Sequence, residues 1–355
     1  MNMRLLYKIT VLLITAMVMQ NCSDNESENG TVKVGKAEVT LLVTPNGLGD
    51  NGYDDDAANG LFAFMKERGV PIRLLMPKDI AEAEKLYRQW ITKNASRDSS
   101  VLVVGSTAYE DILRRNSAEL TGQGSRVLLF ESQEKIDGVS TVTINRYGAS
   151  YLAGAMSKEF DVFILAAAPG FKSLEDAIKG FCNGHENASD GVRKVELQYL
   201  ADGENGFAMP DSAYHVIYDR ADNIWEYDEM IFPLLGGSER GVIKYLNSYE
   251  FASALMVGMD VDHTGQSSRI PFSMIIHIGD VLKDYLNAWF LGEEWPETQI
   301  LGLSEGAVEI SLTPNFAENL NIWDKRYESD EIFKNLYTQY YNEAIIREKD
   351  YENRK

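Results

Sequence analysis

The sequence predicts an α/β protein of two similar lobes, each a mostly parallel sheet with helices on both faces. Three observations carry this. Short apolar strand runs alternate with helical stretches at roughly 30-residue spacing, the size of a strand–helix–strand unit. The strand runs are nearly continuous in apolar residues, as in a sheet covered on both faces. The alternation starts again at Val162.

In the first half, Ala37–Thr44, Ile72–Met76, Val101–Val104 and Val127–Phe130 read as strands. Between them, Ala58, Leu61, Phe62 and Met65 fall at i, i+3, i+4 and i+7, one apolar helix face. Ile80–Lys93 is similar, with Leu86 and Trp90 four apart. Thr107 and Glu110 have the spacing of a capping box ahead of Ile112 and Leu113. In the second half, Val162–Ala166, Val195–Tyr199, Met230–Leu235 and Ala254–Gly258 read as strands. Ser173–Cys182, Asp211–Trp225 and Gly241–Leu246 read as helices. Pro233 has no N–H to donate, which argues for a strand end or a sheet edge. Asp330–Lys355 is one amphipathic helix, and its stripe of Ile332, Phe333, Leu336, Tyr337, Tyr340, Tyr341 and Ala344 is expected to pack on a lobe. The two halves show no repeat residue by residue.

Composition narrows the partners. The chain has 355 residues, and 54 acids against 34 Lys and Arg give a net charge of −20. Its length suggests about two domains. So acidic a surface disfavours nucleic acid and basic-patch membrane docking. The N-terminus is set apart. Arg4 and Lys8 precede an apolar run, Ile9–Met19, too short for a spanning helix of about 20 residues. It suits the core of a secretory signal. Cys22 follows, then the polar run Ser23–Gly30. The pattern looks like a bacterial lipoprotein signal over 1–21, lipid on Cys22, and an acidic tether over 22–36; a plain secreted protein is the alternative. With Cys22 lipidated only Cys182 remains, so no intrachain disulfide is expected. The fold then needs a large core, which the chain is long enough to supply. No later stretch is apolar and long enough to span a membrane, so lipid is the expected anchor, and stable anchoring takes more than one acyl chain.

The sharpest local feature is Pro45–Asp56. Gly47, Gly49 and Gly52 spell G-x-G-x-x-G between a strand and a helix, the context of a dinucleotide fingerprint. Charge rejects that reading, because Asp50, Asp54, Asp55 and Asp56 crowd the place a pyrophosphate would occupy. Asp55 and Asp56 suit the positive end of a helix dipole. A metal is not indicated: the spacing misses a calcium loop and no histidine is close. Asp50 and Asp54 flank Tyr53 at the carboxyl end of a strand, where open α/β sheets bind ligands. A ring that stacks and acids that accept from hydroxyl or base N–H groups suit a sugar or a nucleoside.

Further short motifs follow in order: Val104-Gly105-Ser106, Tyr151-Leu152-Ala153-Gly154-Ala155, Gly180-Phe181 with Gly184, Ile231-Phe232 with Gly236-Gly237-Ser238 and Gly241-Val242, Val257-Gly258-Met259-Asp260, Ser273-Met274 and Leu301-Gly302-Leu303. Together with Asp50-Asn51-Gly52-Tyr53-Asp54 and Gly60-Leu61, this ordered set over roughly 37–312 resembles the basic membrane protein (BMP) group of solute-binding lipoproteins, which includes purine nucleoside receptors of ABC transporters. The resemblance implies a two-lobed type I periplasmic-binding-protein fold, a multi-strand hinge, and a ligand held between the lobes. It implies a first lobe over 37–145 completed by about 272–298, a second over 146–271 completed by about 299–326, and a terminal helix over 327–355. By the same resemblance Asp50, Tyr53, Asp54 and Ser106 line the cleft from one lobe, and Gly236, Gly237 and Asp260 from the other lobe or the hinge. Two departures make this cleft more acidic: Asp54 stands where the family often has Asn, and Ile276 where a Lys is common. A cationic or hydroxyl-rich ligand is therefore as plausible as a purine nucleoside.

Enzymatic signals are weak. His185, His215, His263 and His277 share no zinc-ligand spacing. No nucleophile elbow or phosphate loop is present. Cys182 reads as a small buried hydrophobe beside Phe181. The expected function is capture of a small solute for an ABC transporter permease, without cofactor or chemistry, by a monomer in the cell envelope. Its expected place is the periplasmic face or the surface of a Gram-negative bacterium. The alternatives are a surface ligand sensor and an acid-based glycoside hydrolase.

Overall fold

The computed structural model describes residues 37–45, 47–49, 52–94, 99–120, 126–132, 134–189, 191, 193–221, 229–248, 254–319 and 329–354. The expected signal and tether, Cys22 and Asp50 lie outside these residues. The first lobe contains β1 (Glu38–Leu42), α1 (Tyr53–Arg68), β2 (Ile72–Leu75), α2 (Ile80–Asn94), β3 (Ser100–Val104), α3 (Glu110–Arg115), β4 (Arg126–Phe130) and β5 (Ser140–Ile144). The second contains α4 (Tyr147–Met156), β6 (Asp161–Ala166), α5 (Lys172–Ala188), β7 (Val195–Tyr199), α6 (Pro210–Ala221), β8 (Glu229–Leu234), α7 (Glu239–Ser248), β9 (Leu255–Asp260) and β10 (Phe272–Ile276). The chain then returns to the first lobe as α8 (Ile278–Leu291) and β11 (Thr298–Leu301). It ends on the second with β12 (Val308–Leu312), α9 (Phe316–Asn319) and α10 (Glu331–Glu352).

The two sheets have one topology. Their strand orders are β11-β5-β4-β3-β1-β2 and β12-β10-β9-β8-β6-β7. The pairs are parallel except β10 with β12. Period-two alternation decides what each strand covers. Val39, Leu41, Val101 and Val103 join Leu61 and Phe64 of α1 in one core layer. Leu42, Leu102, Val104 and Leu129 join Tyr87 and Trp90 of α2 in the other. Both sheet faces are thus buried, which is why the strand runs read as continuously apolar. In the second lobe α4 and α5 meet backbone to backbone. A Cβ on Gly154 would lie 2.1 Å from the Phe181 carbonyl oxygen, and one on Gly184 would lie 1.9 Å from that of Tyr151.

Three details differ from expectation. Pro233 lies in β8, an inner strand, paired with Leu165 of β6. It is tolerated because the ladder from β8 to β9 covers only Met230 and Ile231 and has ended before the proline. The capping oxygen before α3 belongs to Ser106, which accepts from the Ala108 N–H at 3.1 Å, and not to Thr107. Phe272–Ile276, expected to begin the completion of the first lobe, pairs with β9 and β12 in the second sheet. The return to the first lobe starts at Ile278.

Among the described residues the chain passes between the sheets at three places: after Ile144, after Ile276 and after Leu301. Buried or half-buried carboxylates hold these crossings through backbone N–H groups. Asp56 of α1 accepts from Gly279 at 2.8 Å, beside the second crossing. Glu348 of α10 accepts from Gly148 at 3.0 Å and from Leu303 and Ser304 at 3.3 and 3.4 Å, joining the first crossing to the third. Beside it the Tyr351 ring stacks on Tyr147 at 4.1 Å, and the Tyr351 hydroxyl donates to Asp176 of α5. The terminal helix is therefore a brace on the hinge as well as a cover for Phe272 and Phe316 through Phe333.

Burial pushes the Glu348 carboxyl up to about 7 from an ordinary value of 4.5, against the opposing pull of its backbone donors. Between those values the folded state binds more protons than the unfolded one, so this group's stabilisation is full below the lower value and is lost as pH rises through the upper one. Glu348→Gln should therefore flatten the melting temperature between pH 5 and pH 8, gaining on the native protein at the alkaline end. Thermal scans across that range measure it, and a parallel shift at all pH values would count against the assignment.

Candidate functional site

A cavity of about 170 Å³ lies between the lobes. It sits at the carboxyl ends of the central strands, beside the points where strand order reverses, between β1 and β3 and between β6 and β8. Such switch points leave a crevice because the following loops diverge to opposite faces. The first lobe contributes Thr44 and Pro45 after β1, Gly105, Ser106 and Thr107 after β3, Glu131 after β4, and Tyr53 and Asp54 from the start of α1. The second contributes Phe171, Ser173 and Leu174 after β6, Glu204 and Phe207 after β7, Leu234 to Gly237 at the end of β8, and Met259 and Asp260 at the end of β9. Arg146, at the first crossing, also faces the cavity.

The expected residues Tyr53, Asp54, Ser106, Gly236, Gly237 and Asp260 all line this cavity, while Asp50 lies outside the described residues. Their roles differ. Asp54 is buried and accepts from both the N–H and the hydroxyl of Thr44, so its carboxylate fixes the exit of β1. Asp55 accepts from the Gly49 N–H at 2.9 Å, folding the glycine loop back on α1. Both acids also place negative charge in the first turn of α1. The Tyr53 hydroxyl is sealed from solvent and lies beside the Glu131 carboxylate without completing a hydrogen bond to it. Burial, with Glu131 next, pushes its pKa well above the usual value, so the phenol stays protonated.

The residues that sequence reading missed are the cleft's charged pair and its second aromatic wall. Arg146 donates from Nη1 to Glu131 Oε2 at 2.9 Å and from Nη2 to Oε1 at 2.8 Å, a bidentate fork. The two side chains are only 8% and 11% exposed, so the pair works in a desolvated setting. Burial opposes the Arg146 charge, yet Glu131, with help from Asp260, holds its pKa above the usual range. Glu131 and Asp260 both adopt left-handed backbone, φ 66° and 65°. A non-glycine residue there carries strain of about 1–3 kcal/mol, which persists where surrounding structure enforces it. Phe171 and Phe207 meet edge to face at 5.2 Å.

The second-lobe loops are tied from beneath. Glu239, which follows Gly236-Gly237-Ser238, accepts from the Met259 N–H at 3.0 Å. His263 Nε2 lies 3.3 Å from Glu239 Oε2 and 2.8 Å from the Met259 carbonyl oxygen. Burial disfavours the charged imidazole, but the Glu239 carboxylate outweighs it and raises the His263 pKa to about 9. The Gly236–Ser238 turn and the Asp260 loop are therefore tied together. His277 is elsewhere, 3.3 Å from Glu309 and 3.8 Å from Asp280 on another groove. Ile276 is buried in β10 and does not line the cavity. Cys182 is half-buried against the core, and burial raises its thiol pKa. Among the described residues no group of three His, Cys, Asp or Glu side chains is placed to hold a metal ion.

Two α/β lobes, three crossings and a cavity between the lobes define the architecture of a type I periplasmic binding protein. The chain belongs to the Bmp family, the PnrA-like ABC transporter substrate-binding proteins, whose model matches residues 37–352. Solved structures with the same fold include an ABC transporter solute-binding protein from Aeropyrum pernix K1, at 15% identity and TM-score 0.66, with 88% of this chain and 90% of that chain covered. A transcriptional activator of the comK gene from Bacillus halodurans is similar at 13% identity and TM-score 0.61, covering 86% and 97%. An ABC transporter solute-binding protein from Burkholderia graminis C4D1M, in complex with D-arabinose, is similar at 17% identity and TM-score 0.59, covering 81% and 98%. These identities establish the shared fold alone. No curated protein sequence shows significant similarity to the chain. Family members are substrate-binding proteins of ABC transporters, which act outside the cytoplasm and bind rather than transform their solutes. Among the described residues no helix is long and apolar enough to cross a membrane.

Proposed function

We propose that this protein is a lipid-anchored receptor that closes on one nucleoside-like or sugar-like solute and presents it to an ABC permease. The observation that carries this reading is the interlobe cavity, where Tyr53, Phe171 and Phe207 stand among Ser106, Thr107, Glu131 and Asp260. Aromatic faces take up the flat or apolar side of a ring, and the polar groups bond its hydroxyls. Closure would bury the solute and create the joint surface of two lobes that a membrane partner can read. Release needs no covalent step. The D-arabinose held by the Burkholderia graminis protein supports a pentose-bearing ligand as one member of this class.

The hydrolase alternative loses ground at the same place. Asp54 is committed to Thr44 and Glu131 to Arg146, so two of the cleft's acids are positioned as structural acceptors. The anchor rests on the pattern around Cys22 and on the polar run after it. Two acyl chains or more on that cysteine would suffice to hold the protein at a membrane, as a monomer.

Three kinds of measurement test the reading. Mass spectrometry of solute extracted from the purified protein should identify a nucleoside or sugar, and calorimetry against a panel of both should rank it first. Tyr53→Ala should weaken that solute about tenfold or more while leaving the fold intact, since a stacked aromatic face contributes about 0.5–1.5 kcal/mol beyond its buried area. Unchanged affinity would remove Tyr53 from the site. Cys22→Ser should move the protein from the membrane fraction to the soluble fraction, and a variant that stays with membranes would contradict lipidation.

A further inference from the structure

The charges around the cavity are unequal in number and in freedom. Asp54, Glu131, Glu204 and Asp260 line it, against a single cation among the described lining residues, Arg146. That guanidinium already has its charge matched by Glu131. Its Nη1 and Nη2 hold both oxygens of Glu131, and Nη1 also donates to the Ile144 carbonyl at 3.1 Å. Lys172 stands between two lining residues in sequence but pairs with Asp176 at 3.3 Å. The helix ends that open on the cleft each carry acids in their first turn: α1 has Asp54, Asp55 and Asp56, α5 has Glu175, and α7 has Glu239. The usual sources of anion affinity, an unpaired cation and a bare helix N-terminus, are cancelled at this site by the chain's own carboxylates.

The paired Glu131 and Arg146 still offer something to a ligand. Each Glu131 oxygen keeps lone-pair capacity, and the guanidinium has N–H groups beyond those used in the fork. A hydroxyl can donate to the first and accept from the second, so a neutral ion pair matches an alcohol well. A phosphate or carboxylate would have to compete with Glu131 for Arg146 and leave one anion unpaired in a desolvated cleft. Arg146 feels a carboxylate from each lobe, Glu131 and Asp260.

We infer that the Glu131–Arg146 pair is the specificity-determining element of the cleft, admitting uncharged or cationic hydroxyl-bearing solutes and rejecting their phosphorylated or carboxylated counterparts. This rests on the cavity being the ligand site and deepens that reading: a nucleoside in place of a nucleotide, a free sugar in place of a sugar phosphate. Rejection here is built from a committed cation and surplus anions, the repulsive half of specificity.

The test is calorimetry on the full chain with matched pairs of probes: purine and pyrimidine nucleosides with their 5′-monophosphates, and aldopentoses with their 5-phosphates. An unphosphorylated member should bind, with its phosphate weaker by about 100-fold or more, as expected where a buried charge is left unpaired. Glu131→Gln frees Arg146 and should narrow that gap at least about tenfold. A gap that Glu131→Gln leaves untouched would mean that size alone rejects the phosphate, and would overturn the assignment. A phosphate that binds the native protein as well as its parent would overturn it too, while leaving the cavity as the ligand site. Failure of every probe would remove the nucleoside-or-sugar reading and this inference together. If Glu131→Gln does not fold, the double variant Glu131→Gln/Arg146→Gln, which keeps the net charge, should bind the unphosphorylated ligand at least about tenfold more weakly; native-like affinity in that variant would contradict the proposal.

Discussion

The buried fork between Glu131 and Arg146 fixes the place where the two lobes meet. Glu131 follows β4, and Arg146 stands where the chain leaves β5 for α4, so one ion pair joins the carboxyl end of two inner strands of the first sheet to the entry of the second lobe. Breaking such a pair by removing one partner costs about 3–5 kcal/mol, because the remaining charge stays buried. The strained backbone at Glu131 is sustained by that contact. Tyr53 leans on the same carboxylate, and Asp260 approaches the same guanidinium from the opposite lobe. The cavity floor is therefore an electrostatic junction as well as a surface.

A second pattern explains part of the acid surplus. Buried or half-buried carboxylates serve repeatedly as acceptors for backbone N–H groups at places where the chain changes direction: Asp54 for Thr44, Asp55 for Gly49, Asp56 for Gly279, Glu239 for Met259, and Glu348 for Gly148 and Leu303. Each satisfies a donor that would otherwise be left unpaired at a loop or crossing. A run of acids such as Asp54-Asp55-Asp56 thus resembles a metal or ligand cluster in sequence, yet its members point to three different partners. Local sequence shows the acids but not the backbone groups that use them.

The same distinction governs what the residues disclosed in advance. Strands β1 to β4 and β6 to β9 were legible because their apolar runs are bounded by polar turns and set among amphipathic helices. β5 was not, since its sequence Ser140–Ile144 alternates threonine with aliphatic residues and its polar members are buried against β11 and the loop after β4. α4 was visible only as a family motif, because every one of its residues is buried and it has no polar face to create periodicity. In the site, the loop after β1 announced itself by glycine and aspartate, and the loops after β8 and β9 were visible only through the family resemblance. The Glu131–Arg146 fork did not, because it depends on two strands lying in register and not on any local spacing. Phe171 and Phe207 were likewise indistinguishable from core aromatics until the second sheet placed the loops after β6 and β7 on one cavity.

The proposed receptor holds its solute in the cleft, with the solute's hydroxyl groups on the Glu131–Arg146 junction and its ring beside the aromatic walls. A crystal structure of the protein with the solute that it carries from the cell tests this most directly. The expected result is ligand density between the lobes, with a ligand oxygen within hydrogen-bond distance of Arg146 or Glu131. Density bound outside the interlobe cavity, or a ligand anion paired with Arg146 in place of Glu131, would contradict it.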